Sequence, residues 1–355
     1  MENEQISSNY NLTVIFVNYH SFSLLKAALS TLDDQIYHNF QIAIVDNTPG
    51  VVEYQKLQQL VQKRKTDRNL ATIHLFKPKF NLGFAGGNNF AIKRLNSDFY
   101  FLLNCDTEIP TPDFLSQIME YLYNHPAVGF LSPKMLFYAA PMRIWYAGAQ
   151  IAPSKFSFIS HNGLYKLDSS TYSQIRETDF ACGAAMFVSH KVIQKVGLLD
   201  ELFFMYAEET DWNVRAKHAG FQIIYFPPVS LFHKVDLFTE SNKWGYRKNY
   251  FQVYLYNRNK IIFMLKNYAG REIFLFFTRY ELKTLVAELY LAIKMNQPLF
   301  IKDFLQSIVR GVQIGIRRRT HRTCSTLLRK EMAFLSRVQK VSRSTSSSQK
   351  VDCNN

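Results

Sequence analysis

The chain has 355 residues, of which 47% are hydrophobic and 20% charged, a composition that excludes an intrinsically disordered protein and allows a large buried core. The formal net charge is +14, and roughly half or more of this excess lies in the stretch that begins at Arg310. The four cysteines lie far apart, which excludes a small disulfide framework and the paired spacing of a zinc site. We therefore expect free thiols and a reducing compartment.

The residues from Met1 to Asn11 are polar and partly acidic, without the basic start and apolar run of an export signal. The longest apolar stretch, IFLFFTRYELKTLVAELYLAI after Glu272, contains four charged side chains, and each is costly at the centre of a bilayer. We therefore predict a cytoplasmic protein without a membrane-spanning helix.

The first hundred residues alternate between apolar, β-branched runs and segments with helical spacing. LTVIFVN, QIAIVDN and ATIHLF predict buried strands, whereas SFSLLKAALSTLDDQ and VVEYQKLQQLVQKR between them predict helices. A glycine-rich loop, GFAGGN, then precedes a short helix that we expect to begin near Asn88, and FYFLLNCD predicts a fourth strand. This order is typical of an α/β fold with a mostly parallel sheet flanked by helices.

From about Thr111 to Phe232 the pattern is mixed, with predicted helices at PDFLSQIMEYLYN and EETDWNVRAKHAG and short strands around IWYAGAQIA and FACGAAMFVS. After His233 the chain becomes helical, aromatic and finally basic, and its Ser-rich end predicts disorder. We therefore divide the chain into a main domain at 1–265, a helical basic extension at 266–340 and a disordered tail at 341–355.

Polar side chains stand at the predicted strand ends, where open α/β sheets bind their ligands. Asp106 ends FYFLLNCD and is placed to bridge Mg or Mn to phosphate oxygens, with Asn104 two residues earlier on the same face as a neutral contact. Asp46 ends the second strand as an acceptor for a base or ribose, and Asn18 ends the first. The alternatives are a helix cap for Asp106 and an Asx turn for Asp46.

The glycine-rich segment matches neither the dinucleotide fingerprint G-x-G-x-x-G nor a P-loop. Gly83, Gly86 and Gly87 instead predict a flexible loop whose amides, with the helix N-terminus near Asn88, face an anion. The alternative is a tight connection without a ligand.

Two further groups of residues have the chemistry of a reactive site. Glu208, Glu209 and Asp211 form an acidic cluster at the start of a predicted helix, where they either present a general base or stabilise the helix end. His233 ends the apolar run QIIYFPPVSLFH and is either a metal or phosphate ligand or a surface histidine.

Taken in order, these segments resemble glycosyltransferase family 2, close to rhamnosyltransferase-like bacterial enzymes that build polysaccharides. The segments are VIFVNYHS, QIAIVDNT, NLGFAGGNNFAI, FYFLLNCDTEIPTPDFL, FACGAAMFVSHKVIQKVGLLDELFFMYAEETDW, AGFQIIYFPPVSLFH and YNRNK, and they cover roughly Leu12 to Lys260. The resemblance implies a GT-A, Rossmann-like fold. It also implies that a divalent metal assists transfer of a sugar from a nucleotide-diphosphate donor, with inversion at the anomeric carbon.

By position, the resemblance also implies roles for individual residues. Asn18 and Asp46 would contact the nucleoside, Asp106 would hold the metal on the diphosphate together with His233, and a carboxylate among Glu208, Glu209 and Asp211 would be the base. The remaining residues that would line the donor pocket are Asn81, Gly83, Gly86, Asn104, Gly183 and Ala184. The family's base motif is commonly Glu-Asp, and Glu209 stands here at the aspartate position.

Apolar residues recur every four positions near the C-terminus, at Phe300, Phe304, Ile308, Val312 and Ile316, and RRRTHR follows them. This pattern predicts either an interfacial helix that holds the protein on the inner face of the cell membrane or a helical cap packed on the main domain. No motif for reading nucleic acid accompanies the basic run, and we expect no nucleic-acid partner.

The sequence therefore predicts a metal-dependent, inverting glycosyltransferase of bacterial surface polysaccharide biosynthesis. We expect dTDP-rhamnose, or otherwise a UDP-sugar, as donor, and a glycan or lipid-linked oligosaccharide as acceptor. The alternative is a noncatalytic nucleotide-sugar or glycan-binding protein, which the altered base motif favours.

Overall fold

A computed structural model of the protein describes residues 11–64, 71–151, 159–235, 250–294 and 298–320, together with Glu331 and Leu335. The chain folds into two compact units, one formed by residues 1–150, 160–200 and 212–237 and the other by residues 151–159, 201–211 and 238–355. The predicted division at residue 265 stays a prediction, and the spatial grouping differs from it because residues 201–211 and 250–265 belong to the second unit. The predicted disordered tail at 341–355 lies outside the described residues.

The strands follow the apolar runs of the sequence. They are β1 (Leu12–Asn18), β2 (Phe40–Asp46), β3 (Thr72–Phe76), β4 (Phe99–Leu103), β5 (Thr107–Glu108), β6 (Val128–Phe137), β7 (Ala140–Tyr146), β8 (Ala149–Ile151), β9 (Ile159–His161), β10 (Arg176–Glu177), β11 (Ala185–Ser189) and β12 (Gln222–His233).

The helices within residues 11–235 alternate with these strands. They are α1 (Phe22–Asp33), α2 (Val52–Arg64), α3 (Gly83–Ile92), α4 (Phe114–Asn124), α5 (His190–Val196) and α6 (Glu208–His218). The later helices are α7 (Tyr250–Asn267), α8 (Gly270–Leu275), α9 (Leu282–Lys294) and α10 (Pro298–Thr320), with a π-helical segment, Phe276–Glu281, before α9.

The first unit is built on one large sheet with the strand order β10-β12-β6-β11-β4-β1-β2-β3. Strands β1 to β4 are parallel to their neighbours in that group, as are β6 and β12, whereas β11 runs antiparallel between β4 and β6. This confirms the predicted α/β fold with a mostly parallel sheet. Its core includes stacked rings of Phe101 and Phe187 at 3.9 Å and an edge-to-face pair of Phe130 and Trp212.

Strand β6 was missed in the sequence, although all ten of its residues are buried. Pro133 and Lys134 interrupt its apolar run and argue against a central strand. The structure accommodates them with a bulge in β12, because the pairing jumps from Phe226↔Pro133 to Ser230↔Lys134. The ammonium of Lys134 lies 2.9 Å from the Asp168 carboxylate, so its charge is not left unpaired in the sheet.

In the second unit α10 packs closely on α7. A Cβ at Gly311 would lie 2.9 Å from the Arg258 carbonyl oxygen, and one at Gly315 would lie 2.8 Å from Leu265 Cβ, so glycine is needed at both contacts. The predicted apolar stripe of α10 is divided, since Phe304 is buried whereas Ile316 is exposed. The physical reason is that residues spaced by four rotate about 40° per step on an α-helix.

Candidate functional site

The two polar residues that end β1 and β2 lie side by side and form a hydrogen bond. Asn18 and Asp46 are partners in the sheet register, and the Asn18 amide donates to Asp46 Oδ1 at 3.0 Å. The same amide donates to Glu53 Oε1, in the first turn of α2, at 2.8 Å. Asn18 Oδ1 is buried and has no hydrogen-bond partner among the described residues. This oxygen is therefore an acceptor that a ligand N–H or O–H can satisfy.

The buried carboxylate of Asp46 is held by neighbours that the sequence reasoning missed. Lys77 Nζ lies 2.7 Å from Asp46 Oδ2, and the backbone N–H of Thr48 donates to Oδ1 at 3.1 Å. Lys77 also donates to the Thr48 carbonyl. The sequence could have indicated Lys77, because it directly follows β3 and therefore lies at the same edge of the sheet as Asp46. These contacts fix the position of the Asp46 side chain.

The glycine-rich segment is helical, which corrects the expectation of a flexible loop before Asn88. Helix α3 begins at Gly83, whose φ is +70°, and includes Gly86 and Gly87. A Cβ at Gly87 would lie 2.7 Å from Val17 Cγ1. Gly87 is therefore explained by the close approach of α3 to β1, because any larger residue would push the helix away from the sheet.

The N-terminus of α3 is tied to the strand ends by asparagines. Asn47, next to Asp46, donates from Nδ2 to the Gly83 carbonyl at 2.9 Å, and its Oδ1 accepts from the Leu82 N–H at 3.3 Å. Asn81 Oδ1 accepts from the Gly83 N–H at 2.9 Å. Donor contacts from Asn81, Gly83 and Gly86 stay predictions, and the first of these residues already caps one amide of the helix.

The segment with Asp106 is a turn rather than a strand end. β4 stops at Leu103, and Cys105 and Asp106 form the turn before β5, so the expectation that Asn104 and Asp106 share one face of an extended strand was wrong. The Asn104 N–H donates to the Ala184 carbonyl at 2.9 Å. This bond places the predicted donor-sugar segment, Gly183–Ala184, beside the predicted metal segment.

Asp106 and His233 meet directly. His233 Nε2 lies 3.1 Å from Asp106 Oδ1, and the Trp145 ring packs edge-on against the imidazole with centroids 4.3 Å apart. The Asp106 side chain is 30% exposed, whereas that of His233 is 4% exposed. The carboxylate therefore faces solvent while the imidazole is fixed behind it. His233 Nδ1 is buried without a hydrogen-bond partner among the described residues.

Cys105 connects this turn to the first strand pair. Its Sγ lies 3.6 Å from the carbonyl oxygen of Val17, the residue before Asn18. Burial raises the pKa of the Cys105 thiol, which keeps it neutral. Cys105 and Cys182 are free thiols, as predicted, whereas Cys324 and Cys353 lie outside the described residues. The first unit thus brings Asn18, Asp46 and Asp106 to one edge of the sheet.

The acidic cluster belongs to the second unit, at the first turn of α6. Glu208 is buried and Glu209 is half-buried. Burial and the charge of Glu209 raise the pKa of Glu208 well above its usual range, and burial raises the pKa of Glu209 as well. The two neighbouring carboxyl groups therefore titrate as a pair, and both favour the protonated form more than an exposed glutamate does.

Asp211 differs from its two neighbours, because both of its oxygens are used within the unit. Lys266 Nζ lies 2.8 Å from Oδ2, and Asn267 Nδ2 donates to Oδ1 at 3.0 Å. The side chain is fully buried. This environment favours a structural role, tying α6 to the end of α7, over a role as the predicted base.

The described residues contain neither a ready-made metal cluster nor a membrane-spanning helix. No group of three or more histidine, cysteine, aspartate or glutamate side chains is arranged to hold a metal ion in the part of the chain that the structure describes. Within the same residues, no helix is both long and apolar enough to cross a membrane.

Comparison with known families gives a match over the same sheet. The family model described as "Glycosyl transferase family 2" matches residues 13–197, more than half of the 355 residues. The chain belongs to glycosyl transferase family 2. The matched range of this family member contains β1 to β4 with Asn18, Asp46 and Asp106, and it ends before α6.

Two relatives are similar to this family 2 chain in sequence. The low-salt glycan biosynthesis hexosyltransferase Agl10 of Haloferax volcanii is 26% identical over 258 residues, which are 71% of this chain and 75% of the relative. The uncharacterized protein y4gI of Sinorhizobium fredii is 27% identical over 228 residues, 62% of this chain. The chain spans only about a quarter of the length of y4gI, 24%.

Two solved structures share the GT-A fold. S. aureus TarS 1-349 superposes with a TM-score of 0.54 at 14% identity, covering 85% of this chain and 81% of TarS 1-349. The mannosyltransferase PcManGT of Pyrobaculum calidifontis, solved with GDP-Man and Mn2+, gives 0.51 at 16% identity, covering 98% of this chain and 86% of PcManGT. These similarities show the fold.

Proposed function

We propose that the protein is an inverting hexosyltransferase that transfers a sugar from a nucleotide-diphosphate donor to a glycan or lipid-linked oligosaccharide in bacterial surface polysaccharide assembly. The observation that supports this most is the meeting of Asn18, Asp46 and Asp106 at one edge of a family 2 sheet. Ligands of open α/β sheets bind at this edge.

The nucleoside half of the site supplies acceptors fixed in place. Asp46 Oδ2 faces Lys77, and Asn18 Oδ1 lacks a protein partner among the described residues, so an N–H of a base or a ribose hydroxyl completes this group. We propose dTDP-rhamnose as the first donor to test and UDP-sugars next. The PcManGT structure with GDP-Man supports a nucleotide-sugar in general without selecting the sugar.

A divalent cation fits the Asp106 and His233 pair. The partly exposed carboxylate is a hard oxygen ligand, and His233 Nε2 lies 3.1 Å from its Oδ1, close enough for both atoms to hold one cation in place of their mutual contact. Mn2+ accepts both oxygen and nitrogen ligands, and Mg2+ prefers the carboxylate. A cation bound there would neutralise the charge that develops on the leaving diphosphate.

Glu209 is the proposed base. Glu209 is half-buried as a residue whereas Glu208 is buried, and the raised pKa of Glu209 brings its basicity closer to that needed near neutral pH. In the proposed step the acceptor oxygen bonds to the anomeric carbon, the bond from that carbon to the diphosphate breaks, and the hydroxyl proton passes to Glu209. Attack on the face opposite the leaving group inverts the configuration.

The decisive experiment measures nucleotide release from a panel of dTDP-, UDP- and GDP-sugars with Mn2+ and a glycan acceptor. We expect Asp106→Asn to lower release at least about 100-fold, because it removes the charge that holds the cation. Asp113→Asn, at the N-cap of α4, is the matched control and should stay within about twofold. Equal activity of wild type and Asp106→Asn would reject the metal-dependent mechanism.

A noncatalytic nucleotide-sugar or glycan-binding protein is the second candidate. Its support is the Glu208–Glu209 pair in place of the family's common Glu-Asp. Calorimetric binding of a nucleotide-sugar without turnover, across the same panel of donors, would favour this candidate over the enzyme.

We also propose that the second unit contacts the cytoplasmic face of a membrane through α9 rather than through the stripe of α10. Leu282, Val286, Tyr290 and Ile293 are each more than half exposed and recur at helical spacing along one side of α9. Arg279 and Lys283 line the same surface, whereas Glu281 is buried elsewhere. An apolar face with a basic rim complements anionic phospholipid.

Sedimentation with phosphatidylglycerol vesicles tests this surface. The triple variant Leu282→Gln, Val286→Gln and Ile293→Gln should lower the bound fraction at least about tenfold, because each change removes one exposed apolar side chain from the lipid. Leu305→Gln with Val309→Gln, at exposed apolar positions of α10, is the matched control. Equal binding of the triple variant and wild type would contradict the proposal.

A further inference from the structure

The segment that leads into Glu208 and Glu209 has an unusual backbone. Phe204, Tyr206 and Ala207 have φ values of 66°, 76° and 68°, in the left-handed region that side chains other than glycine rarely adopt. Three such residues within four positions persist only where the surrounding structure holds them. Whatever holds this segment also determines where the two carboxyl groups stand.

Asn259 of α7 makes the densest contacts with this segment. Its Nδ2 lies 2.8, 2.8 and 2.7 Å from the carbonyl oxygens of Phe203, Met205 and Tyr206, respectively. Its Oδ1 accepts from Arg258 Nε at 2.9 Å, which fixes the orientation of the amide so that its N–H groups point at the segment. One NH2 group, with two N–H donors, thereby reaches three carbonyls of the segment, and the Phe203 carbonyl also accepts from the Met205 N–H at 2.8 Å.

Arg258 extends the same network from the next position of the helix. Its Nη2 donates to the carbonyl oxygens of Leu202 and Phe203 at 2.9 and 3.0 Å, and its Nη1 lies 2.6 Å from Glu331 Oε1. The Arg258 side chain is fully buried, and that of Glu331 is 3% exposed. The guanidinium is therefore neutralised and oriented by Glu331 while its remaining donors hold the segment.

From these contacts we infer that Arg258 and Asn259 are positioning residues for the acid–base pair. They hold residues 202–207, with left-handed Phe204, Tyr206 and Ala207, in the conformation that presents Glu209 to the acceptor hydroxyl. This inference rests on the proposed role of Glu209 as base. It adds the requirement that the carbonyls of the segment receive N–H donors from α7, because without them the strained turns relax and the carboxyl groups move.

Asn259→Asp is the sharpest test, because it keeps the shape of the side chain and removes the N–H donors. Asn257→Ala is the matched control, since Asn257 is also a buried asparagine of α7 but donates to Ser307 at 2.8 Å instead of to the segment. We expect kcat to fall about 100-fold in Asn259→Asp, the size expected from a misplaced catalytic group, with the donor KM within about twofold. The control should keep its kcat.

Hydrogen exchange of the amides of residues 203–211 decides the structural part without any activity. We expect these amides to exchange at least about tenfold faster in Asn259→Asp and at the wild-type rate in Asn257→Ala. Unchanged exchange in Asn259→Asp would overturn the inference, as would faster exchange with an unchanged kcat. If the wild type transfers no sugar, the proposed function fails, whereas the exchange result still tests whether Asn259 holds the segment.

Discussion

In the first unit each candidate carboxylate contacts a basic side chain, whereas in the second unit two carboxyl groups lie next to each other. Asp46 pairs with Lys77, and Asp106 lies against His233. Glu208 and half-buried Glu209 lie side by side, and burial raises the pKa of both. A carboxylate fixed by a polar partner suits the binding of a cation or nucleoside, whereas a carboxyl group with a raised pKa suits the transfer of a proton. The comparison therefore supports the proposal that the first unit binds the donor and the second supplies the base.

The largest effect is expected at the proton-transfer pair. Glu209→Gln should lower kcat about 1000-fold, because a positioned base contributes on the order of 100- to 10,000-fold. Steady-state kinetics from pH 5 to 9 will measure this, and Glu208→Gln is the comparison. That second variant should retain most activity and move the acid limb of kcat, if at all, to higher pH, since the hydrogen bond from Glu208 lowers the pKa of Glu209 and an amide is a weaker donor than a carboxyl group. If Glu208→Gln is inactive and Glu209→Gln is active, the base is Glu208 and not Glu209.

A large loss of stability is expected where a buried charge loses its partner. Glu331→Gln leaves the guanidinium of Arg258 buried without a carboxylate, and we expect the free energy of unfolding to fall by about 3 kcal/mol. Urea denaturation measures this change. Asp303→Asn on α10 is the control, expected within about 0.5 kcal/mol because that carboxylate has no comparable buried cation in the described structure. A change of similar size in both variants would contradict the role of the buried pair.

A moderate effect is expected at the nucleoside end. Lys77→Met removes the cation that faces buried Asp46, so nucleotide affinity should fall about tenfold and the free energy of unfolding by about 2 kcal/mol. Titration calorimetry with dTDP and UDP measures the first change. Lys79→Met, at an exposed position two residues away, should leave both quantities unaltered. Unchanged nucleotide affinity in Lys77→Met would contradict the proposal that Asp46 belongs to the donor site.

The last effect is the pH dependence of stability that Glu208 of the second unit contributes. A carboxyl group with a raised pKa in the folded state favours folding at low pH, and this contribution is lost as pH rises through the folded-state pKa. Glu208→Gln should therefore match wild type at pH 4 and be more stable at pH 9, where the wild-type carboxyl group has to ionise in a buried position. Thermal unfolding at both pH values provides the measurement. A variant that is less stable than wild type at pH 9 would show that folding does not raise the pKa of Glu208.

Much of the fold was predictable because its strands are continuous apolar runs. β1 and β12 have the residues that the sequence predicted, and the order of strands and helices up to Leu103 was correct. The errors lie where a tertiary contact overrides the local pattern. Gly83 to Gly87 looked like a flexible loop because a helix rarely contains three glycines, but Gly87 allows α3 to approach Val17.

The candidate site also has one part that the sequence predicts and another part that depends on tertiary contacts. The sequence by itself determined the sheet and the residues at its strand ends, since a buried run that stops at a polar residue marks that edge without further information. Only the tertiary structure decided that Lys77 neutralises Asp46, that His233 meets Asp106, and that Asp211 is occupied by Lys266 while Glu208 and Glu209 titrate together. Partners and burial depend on which distant segments come within a few ångströms, and the spacing of residues along a chain does not contain that information.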